Sequence, residues 1–184
     1  MIIYIHGFGS SGYGGKATLF KEYFNDDIVM PSLSYVPELA IHTLEQLIEL
    51  FLQRNEKVSL VGSSLGGFYS IYLANKYNLK AVLINPAIIP YKTLDKIGMA
   101  TNYYDLSSFE VTNEHMQSLK VLDVSTIKKE KNILLLLQKG DELLDYKQAV
   151  EKIPNANCII EDGGNHTFEG IERHFVFIEE FFRV

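Results

Sequence analysis

A single cysteine, Cys158, leaves the chain no means of closing an internal disulfide, so its fold has to rest on burial and hydrogen bonding. That cysteine lies in the apolar run Asn157-Cys158-Ile159-Ile160, which predicts a buried, unreactive thiol. No apolar stretch reaches the roughly 18 residues that would span a bilayer, and no membrane association is expected. The opening Met1-Ile2-Ile3-Tyr4-Ile5 has a strand pattern with neither a basic leader nor a small-residue cleavage site, which predicts a cytoplasmic address. Lys and Arg number 17 against 23 Asp and Glu, for a net charge of -6. They form no cluster dense enough to neutralise a row of phosphates, so nucleic acid is not an expected partner. No His, Cys or carboxylate set has metal-ligand spacing. Internal repeats, low-complexity segments and linkers are missing too.

What is present fits one globular domain. A chain of 184 residues with 47% hydrophobic and 22% charged residues can bury a core large enough to fold without staples. Strand-length apolar runs recur at Ile2-His6, Ile28-Pro31, Val58-Gly62, Ala81-Asn85, Ile133-Gln138 and Cys158-Glu161, mostly bounded by Gly, Pro, Asn or Asp. Helical spacing marks Lys16-Phe24, Pro37-Arg54, Leu65-Tyr77, Tyr146-Lys152 and Gly170-Phe182. In Leu44, Leu47, Ile48, Phe51 and Leu52, for example, apolar residues recur three and four apart on one face. Strands alternating with helices require parallel pairing and right-handed crossovers. The expected architecture is therefore α/β: about six parallel strands, with helices on both faces. Residues 91-123 break the rhythm and predict a cap-like loop-plus-helix insertion over the carboxyl edge of the sheet. Tyr103 and Tyr104 are its candidate contacts to a substrate.

Between the third strand and its helix, Gly62-Ser63-Ser64-Leu65-Gly66 reads G-x-S-x-G. A serine on such a strand-to-helix turn is held so tightly that the residues two before and two after must be almost free of side chain, which selects Ser64 over Ser63. The bland alternative is that small residues merely let the helix pack on the sheet. A serine hydroxyl becomes a useful nucleophile only when a histidine takes its proton and a carboxylate orients that histidine. Two later loops supply both partners, in the order Ser, acid, His. Gln138-Lys139-Gly140-Asp141 follows the fifth strand and Gly163-Gly164-Asn165-His166 follows the sixth. His166 is the candidate base, since His42 falls within a helix, His115 in the insertion and His174 beside Phe175 in the closing helix. Asp141, directly after Gly140, is the preferred acid, with Glu142, Asp145 and Asp162 as alternatives nearby.

The loop His6-Gly7-Phe8-Gly9-Ser10-Ser11-Gly12 after the first strand admits two readings of different class. In one, the backbone N-H of Phe8 joins that of Leu65 in binding an oxyanion, and His6 is structural. In the other, Gly7-x-Gly9-x-x-Gly12 is a dinucleotide fingerprint. That reading also needs an acidic residue at the carboxyl end of the second strand, where Pro31-Ser32-Leu33 stands instead. A phosphate-binding loop at Gly15-Lys16 fails as well, with Ser10 and Ala17 at positions that require Gly and Ser or Thr.

With these residues placed, the chain resembles the α/β-hydrolase superfamily, and more closely the small bacterial YqiA-type esterases, over essentially its whole length. The segments that carry the resemblance are Tyr4-Ile5-His6-Gly7-Phe8 with Ser10-Ser11, Gly62-Ser63-Ser64-Leu65-Gly66-Gly67-Phe68, Asn85-Pro86-Ala87, Gln138-Lys139-Gly140-Asp141-Glu142 and Gly163-Gly164-Asn165-His166. The resemblance implies hydrolysis of small acyl esters or thioesters by Ser64, His166 and Asp141, without a cofactor. It also implies a reduced core that opens at the strand carrying the oxyanion loop. Gly12-Tyr13-Gly14-Gly15 departs from the pattern by its richness in glycine. A non-catalytic binding or scaffold protein on the same fold is the alternative, because fold alone does not dictate function.

Overall fold

The computed structural model describes residues 1-94 and 98-183; the remaining four, three of them within the expected insertion, lie outside the described residues. Six strands form one parallel sheet: β1 (Ile2–Ile5), β2 (Ile28–Val29), β3 (Ser59–Ser63), β4 (Lys80–Ile84), β7 (Ile133–Gln138) and β8 (Asn157–Glu161). Their spatial order is β2-β1-β3-β4-β7-β8, with every neighbouring pair parallel. All six expected strands are present, and the sheet and its flanking helices are the expected α/β architecture.

Alternation along the strands divides the core in two. Ile3, Ile5, Leu60, Leu83 and Leu135 face α2 (Pro37–Gln53), α3 (Leu65–Tyr77), α5 (Asn113–Val121) and α6 (Tyr146–Lys152). Ile2, Tyr4, Val61, Val82 and Leu134 face α1 (Gly15–Phe24) and α7 (Phe175–Arg183). The central strands Leu-Val-Gly and Ile-Leu-Leu-Leu-Leu are buried on both faces, as strands of a parallel sheet covered on both sides must be. At the edge, β8 is covered only in part, and its burial alternates. Cys158 therefore points outward and is exposed, contrary to the buried thiol its apolar neighbours predicted. Edge position, invisible in a local window, decides its environment.

Strand order also fixes where a ligand can enter. The chain leaves β1 toward one edge and returns to place β3 on the other side of β1, so α1 and α3 depart to opposite faces. The loops after β1 and β3 separate at that point and open a crevice at the carboxyl edge.

The region between Tyr91 and Asp123 holds more regular structure than a loop and a helix. It contains a short helix, α4 (Pro90–Thr93), an antiparallel hairpin of β5 (Met99–Thr101) and β6 (Ser108–Glu110), and α5. The hairpin escaped the sequence reading because three-residue strands carry too little periodicity. Its turn docks on the β1 loop: Tyr103 N–H donates to the Gly9 carbonyl at 2.7 Å and the Asn102 amide to the Ser10 carbonyl at 3.2 Å. Phe109, the buried residue of β6, meets Phe8 edge-on and stacks on Tyr35. The two ends of the region are tied together by the Tyr91 hydroxyl donating to Asp123 at 2.7 Å.

Candidate active site

Ser64 joins β3 to α3 with φ 54° and ψ -118°, a conformation that costs a non-glycine residue about 1–3 kcal/mol and persists only where its surroundings enforce it. They do so through four backbone bonds. Ser64 N–H donates to the Ile84 carbonyl at 3.1 Å, while its own carbonyl accepts from Gly67, Ala87 and Phe68 at 2.9, 3.0 and 3.3 Å. The flanking glycines are a steric requirement of the same turn. A Cβ on Gly62 would collide with the Gly66 carbonyl and the Ser70 hydroxyl, and one on Gly66 with the Ile5 carbonyl.

The structure brings Ser64, His166 and Asp141 together, although Ser64 and His166 are 102 residues apart. His166 Nε2 lies 3.0 Å from Ser64 Oγ, and its Nδ1 lies 3.0 and 2.9 Å from the two Asp141 carboxylate oxygens. The Asp141 side chain is only 2% exposed. Burial alone would raise its pKa, but bonds from His166 and from the Leu144 and Leu143 N–H groups outweigh it and hold the carboxyl below its ordinary range. An ionised Asp141 favours the tautomer of His166 that carries its proton on Nδ1, in which Nε2 can accept from Ser64.

The three alternatives to Asp141 lie elsewhere. Asp145 caps α6, accepting from Lys147 N–H at 3.0 Å. Glu142 accepts from the backbone N–H of His166 at 3.0 Å, and Asp162 pairs with Lys139. The other histidines are otherwise engaged. His6 Nε2 accepts from Leu33 N–H at 2.9 Å and its Nδ1 meets the Gly7 carbonyl. His115 completes a capping box on α5 with Thr112, His174 pairs with Glu161, and His42 is exposed on α2.

Two buried amides missed by the sequence reading hold the histidine loop in place. Asn85 accepts from Gln138 N–H at 3.0 Å and donates to the carbonyls of Asn165 and His166 at 3.0 and 3.3 Å. The Gln138 carbonyl oxygen accepts from Asn165 and Glu169 N–H at 3.1 and 2.9 Å, and its amide donates to Glu161 and the Glu169 carbonyl. Both residues stand in segments that carry the family resemblance, and each is a polar residue ending an otherwise apolar run, but neither signal specified this role.

On the other side of Ser64, the β1 loop passes close enough that a Cβ on Gly7 would stand 3.2 Å from that of Ser64. Among the described residues, neither Phe8 N–H nor Leu65 N–H donates to a backbone carbonyl outside regular structure, and Leu65, the first residue of α3, has no acceptor within its helix. Two cavities adjoin. One of about 240 Å³ is lined by Phe8, Leu33, Tyr35, Leu65, Tyr69 and Phe109 among others. A larger one of about 580 Å³ is shared by Ser64, His166, Lys16, Tyr103 and Phe168. Tyr103 thus lines the same cavity as the serine, whereas Tyr104 stacks on Tyr13. Among the described residues no group of three His, Cys, Asp or Glu could hold a metal ion, and no helix is long and apolar enough to cross a membrane.

Comparison with known proteins finds relatives in sequence and in fold. The chain is 27% identical over 191 residues to the UPF0227 protein YcfP of Salmonella arizonae, with 98% of each chain covered. Its fold is similar to that of alpha/beta hydrolase domain-containing protein 10 from mouse, with a TM-score of 0.70 at 20% identity over 97% of this chain and 87% of that one. The monoacylglycerol lipase of Paleococcus ferrophilus is similar too, with a TM-score of 0.70 at 18% identity over 99% and 93%. At these identities the likeness establishes a common fold. The sequence model described as "Uncharacterised protein family (UPF0227)" matches residues 1–183, and the chain, an α/β-hydrolase fold by its sheet and its structural neighbours, belongs to that family.

Proposed function

We propose that the protein hydrolyses carboxylic esters or thioesters of acyl groups through an acyl-enzyme on Ser64. The observation that carries this reading is the continuous line of hydrogen bonds from Ser64 through His166 to buried Asp141. Ser64 Oγ attacks the substrate carbonyl while His166 Nε2 takes its proton. Asp141 keeps Nδ1 protonated and stabilises the imidazolium. The N–H groups of Phe8 and Leu65 receive the negative charge on the carbonyl oxygen, helped by the N-terminus of α3. His166 then passes its proton to the leaving alcohol or thiol, and water repeats the sequence on the acyl-enzyme, returning the proton to Ser64.

The geometry suggests where the two halves of the substrate go. The leaving group belongs in the larger cavity, because His166 must reach it, and the acyl chain in the aromatic cavity beside Phe8 and Leu65. The 91-123 region acts as a cap on this domain, contributing Phe109 to one cavity and Tyr103 to the other. Neighbours described as a hydrolase-domain protein and a lipase support the same class of chemistry. Steady-state hydrolysis of a short 4-nitrophenyl ester tests the proposal. Ser64→Ala is expected to lower kcat by roughly four to six orders of magnitude with the fold intact, and Ser63→Ala by far less. Equal losses in two folded variants would refute the assignment of Ser64.

A further inference from the structure

Lys16, in the first turn of α1, lines the cavity that holds Ser64 and His166, and the reaction just described has no task for it. Its Nζ donates to Ser63 Oγ at 2.7 Å. Among the described residues Nζ makes no other hydrogen bond and no ion pair, so two of its three donors are not taken by protein groups and can serve a ligand. Burial pushes the ammonium down to about 8, a shift that the negative charge of Asp141 only partly offsets. A cation that is desolvated in this way usually has a carboxylate beside it. Lys16 has a neutral hydroxyl and an open cavity instead, and the cavity is the one in which the leaving group would be protonated.

Resting on the hydrolase reading above, we infer that Lys16 recognises a carboxylate on the leaving-group side of the substrate, so that the protein acts on acyl esters of hydroxy acids or on thioesters of mercapto acids. Lys16 is the one lysine or arginine among the described residues that line this cavity, and it is more buried than the two glutamates there, whose charges solvent screens. Glu169 and Glu172 line the same cavity and disfavour a dianion such as a phosphate monoester. With Lys16 against two glutamates the formal charge of the lining is already -1, so a monoanion, which adds one charge, is favoured over a dianion, which adds two. The ammonium is anchored on Ser63, the residue that precedes the nucleophile.

Two isosteric probes test this: 3-acetoxypropanoate, whose leaving group carries a carboxylate, and 3-acetoxypropanamide, whose leaving group is neutral. The expected kcat/KM ratio in favour of the carboxylate is about 10- to 100-fold, the range for a hydrogen bond to a charged group, expressed mainly in KM. Lys16→Met should bring the ratio to about one, and Lys16→Arg should keep its sign. A wild-type protein that turns both probes over without preference would overturn the inference and leave the hydrolase reading standing. So would a Lys16→Met variant that keeps the preference, or a stronger preference for 2-acetoxyethyl phosphate. Turnover of neither probe would instead count against the hydrolase reading. In that event calorimetric titration of the Ser64→Ala protein with 3-acetoxypropanoate still decides, since binding that vanishes in Lys16→Met/Ser64→Ala supports the role of Lys16 and binding that survives refutes it.

Discussion

At the scale of single residues, Asp141 and Asp145 show how position within one loop separates two kinds of work. Both are aspartates after β7. Asp141 is buried against His166 Nδ1, whereas Asp145 is exposed and accepts from the N–H of Lys147 at the start of α6. Removing the charge of Asp141 leaves serine and histidine in place but lets the imidazole take the unproductive tautomer, a loss of about four orders of magnitude in comparable sites. Removing a helix cap costs about 1 kcal/mol of stability, or roughly 2–4 °C in a domain of this size. Asp141→Asn should therefore abolish most ester turnover at nearly constant Tm. Asp145→Ala, which removes the capping oxygen, should lower Tm and keep most of the turnover. Paired kinetics and thermal melts check both, and the opposite pattern would assign the orienting role to Asp145.

At the scale of elements, the histidine loop is held by Gln138 and Asn85, the residues at the ends of β7 and β4. Gln138→Leu would leave the N–H groups of Asn165 and Glu169 without the oxygen that accepts them, a loss of about 2 kcal/mol. His166 would then be displaced from Ser64 by a fraction of an ångström or more. Tm should fall by on the order of 5 °C and kcat by about 10- to 100-fold, with KM changed little. A fall in Tm with kcat intact would show the loop to be positioned by something else. The six sheet strands were legible in the sequence because each is an apolar run between turn residues. The elbow was legible because a serine turn forced into positive φ needs glycines two residues either side. The β5–β6 hairpin was not, since its strands are three residues long, and neither was the exposure of Cys158, which depends on β8 being the edge strand. The amides of Asn85 and Gln138 act across strands 53 residues apart, a relation that no local window contains.

At the scale of the whole molecule, Glu161 joins the carboxyl end of the edge strand to the last helical segment. It pairs with Arg173, whose bond is the main cause of a pKa depressed to about 2 against burial, and it accepts from Gln138 and His174 as well. Because the folded value lies below the ordinary 4.5, the unfolded chain binds more protons between those two values. The stabilisation is complete above about pH 4.5 and is lost as pH falls toward 2. Glu161→Gln should thus lower Tm at pH 7 and flatten its decline between pH 5 and pH 2.5, and an unchanged slope would exclude this cluster as a source of acid sensitivity. Sheet order carries the larger consequence, since it collects the loops after β1, β3, β7 and β8 at one edge and so gathers Phe8, Ser64, Asp141 and His166 from across the chain. A working nucleophile differs from a binding surface of the same geometry in its reactivity. Reaction with a fluorophosphonate followed by peptide mass spectrometry tests it most directly. One phosphonyl group is expected, on Ser64, absent from the Ser64→Ala protein and added much more slowly to the His166→Ala protein. An unreactive folded protein, or label on Ser63 instead, would contradict the assignment of Ser64 as nucleophile.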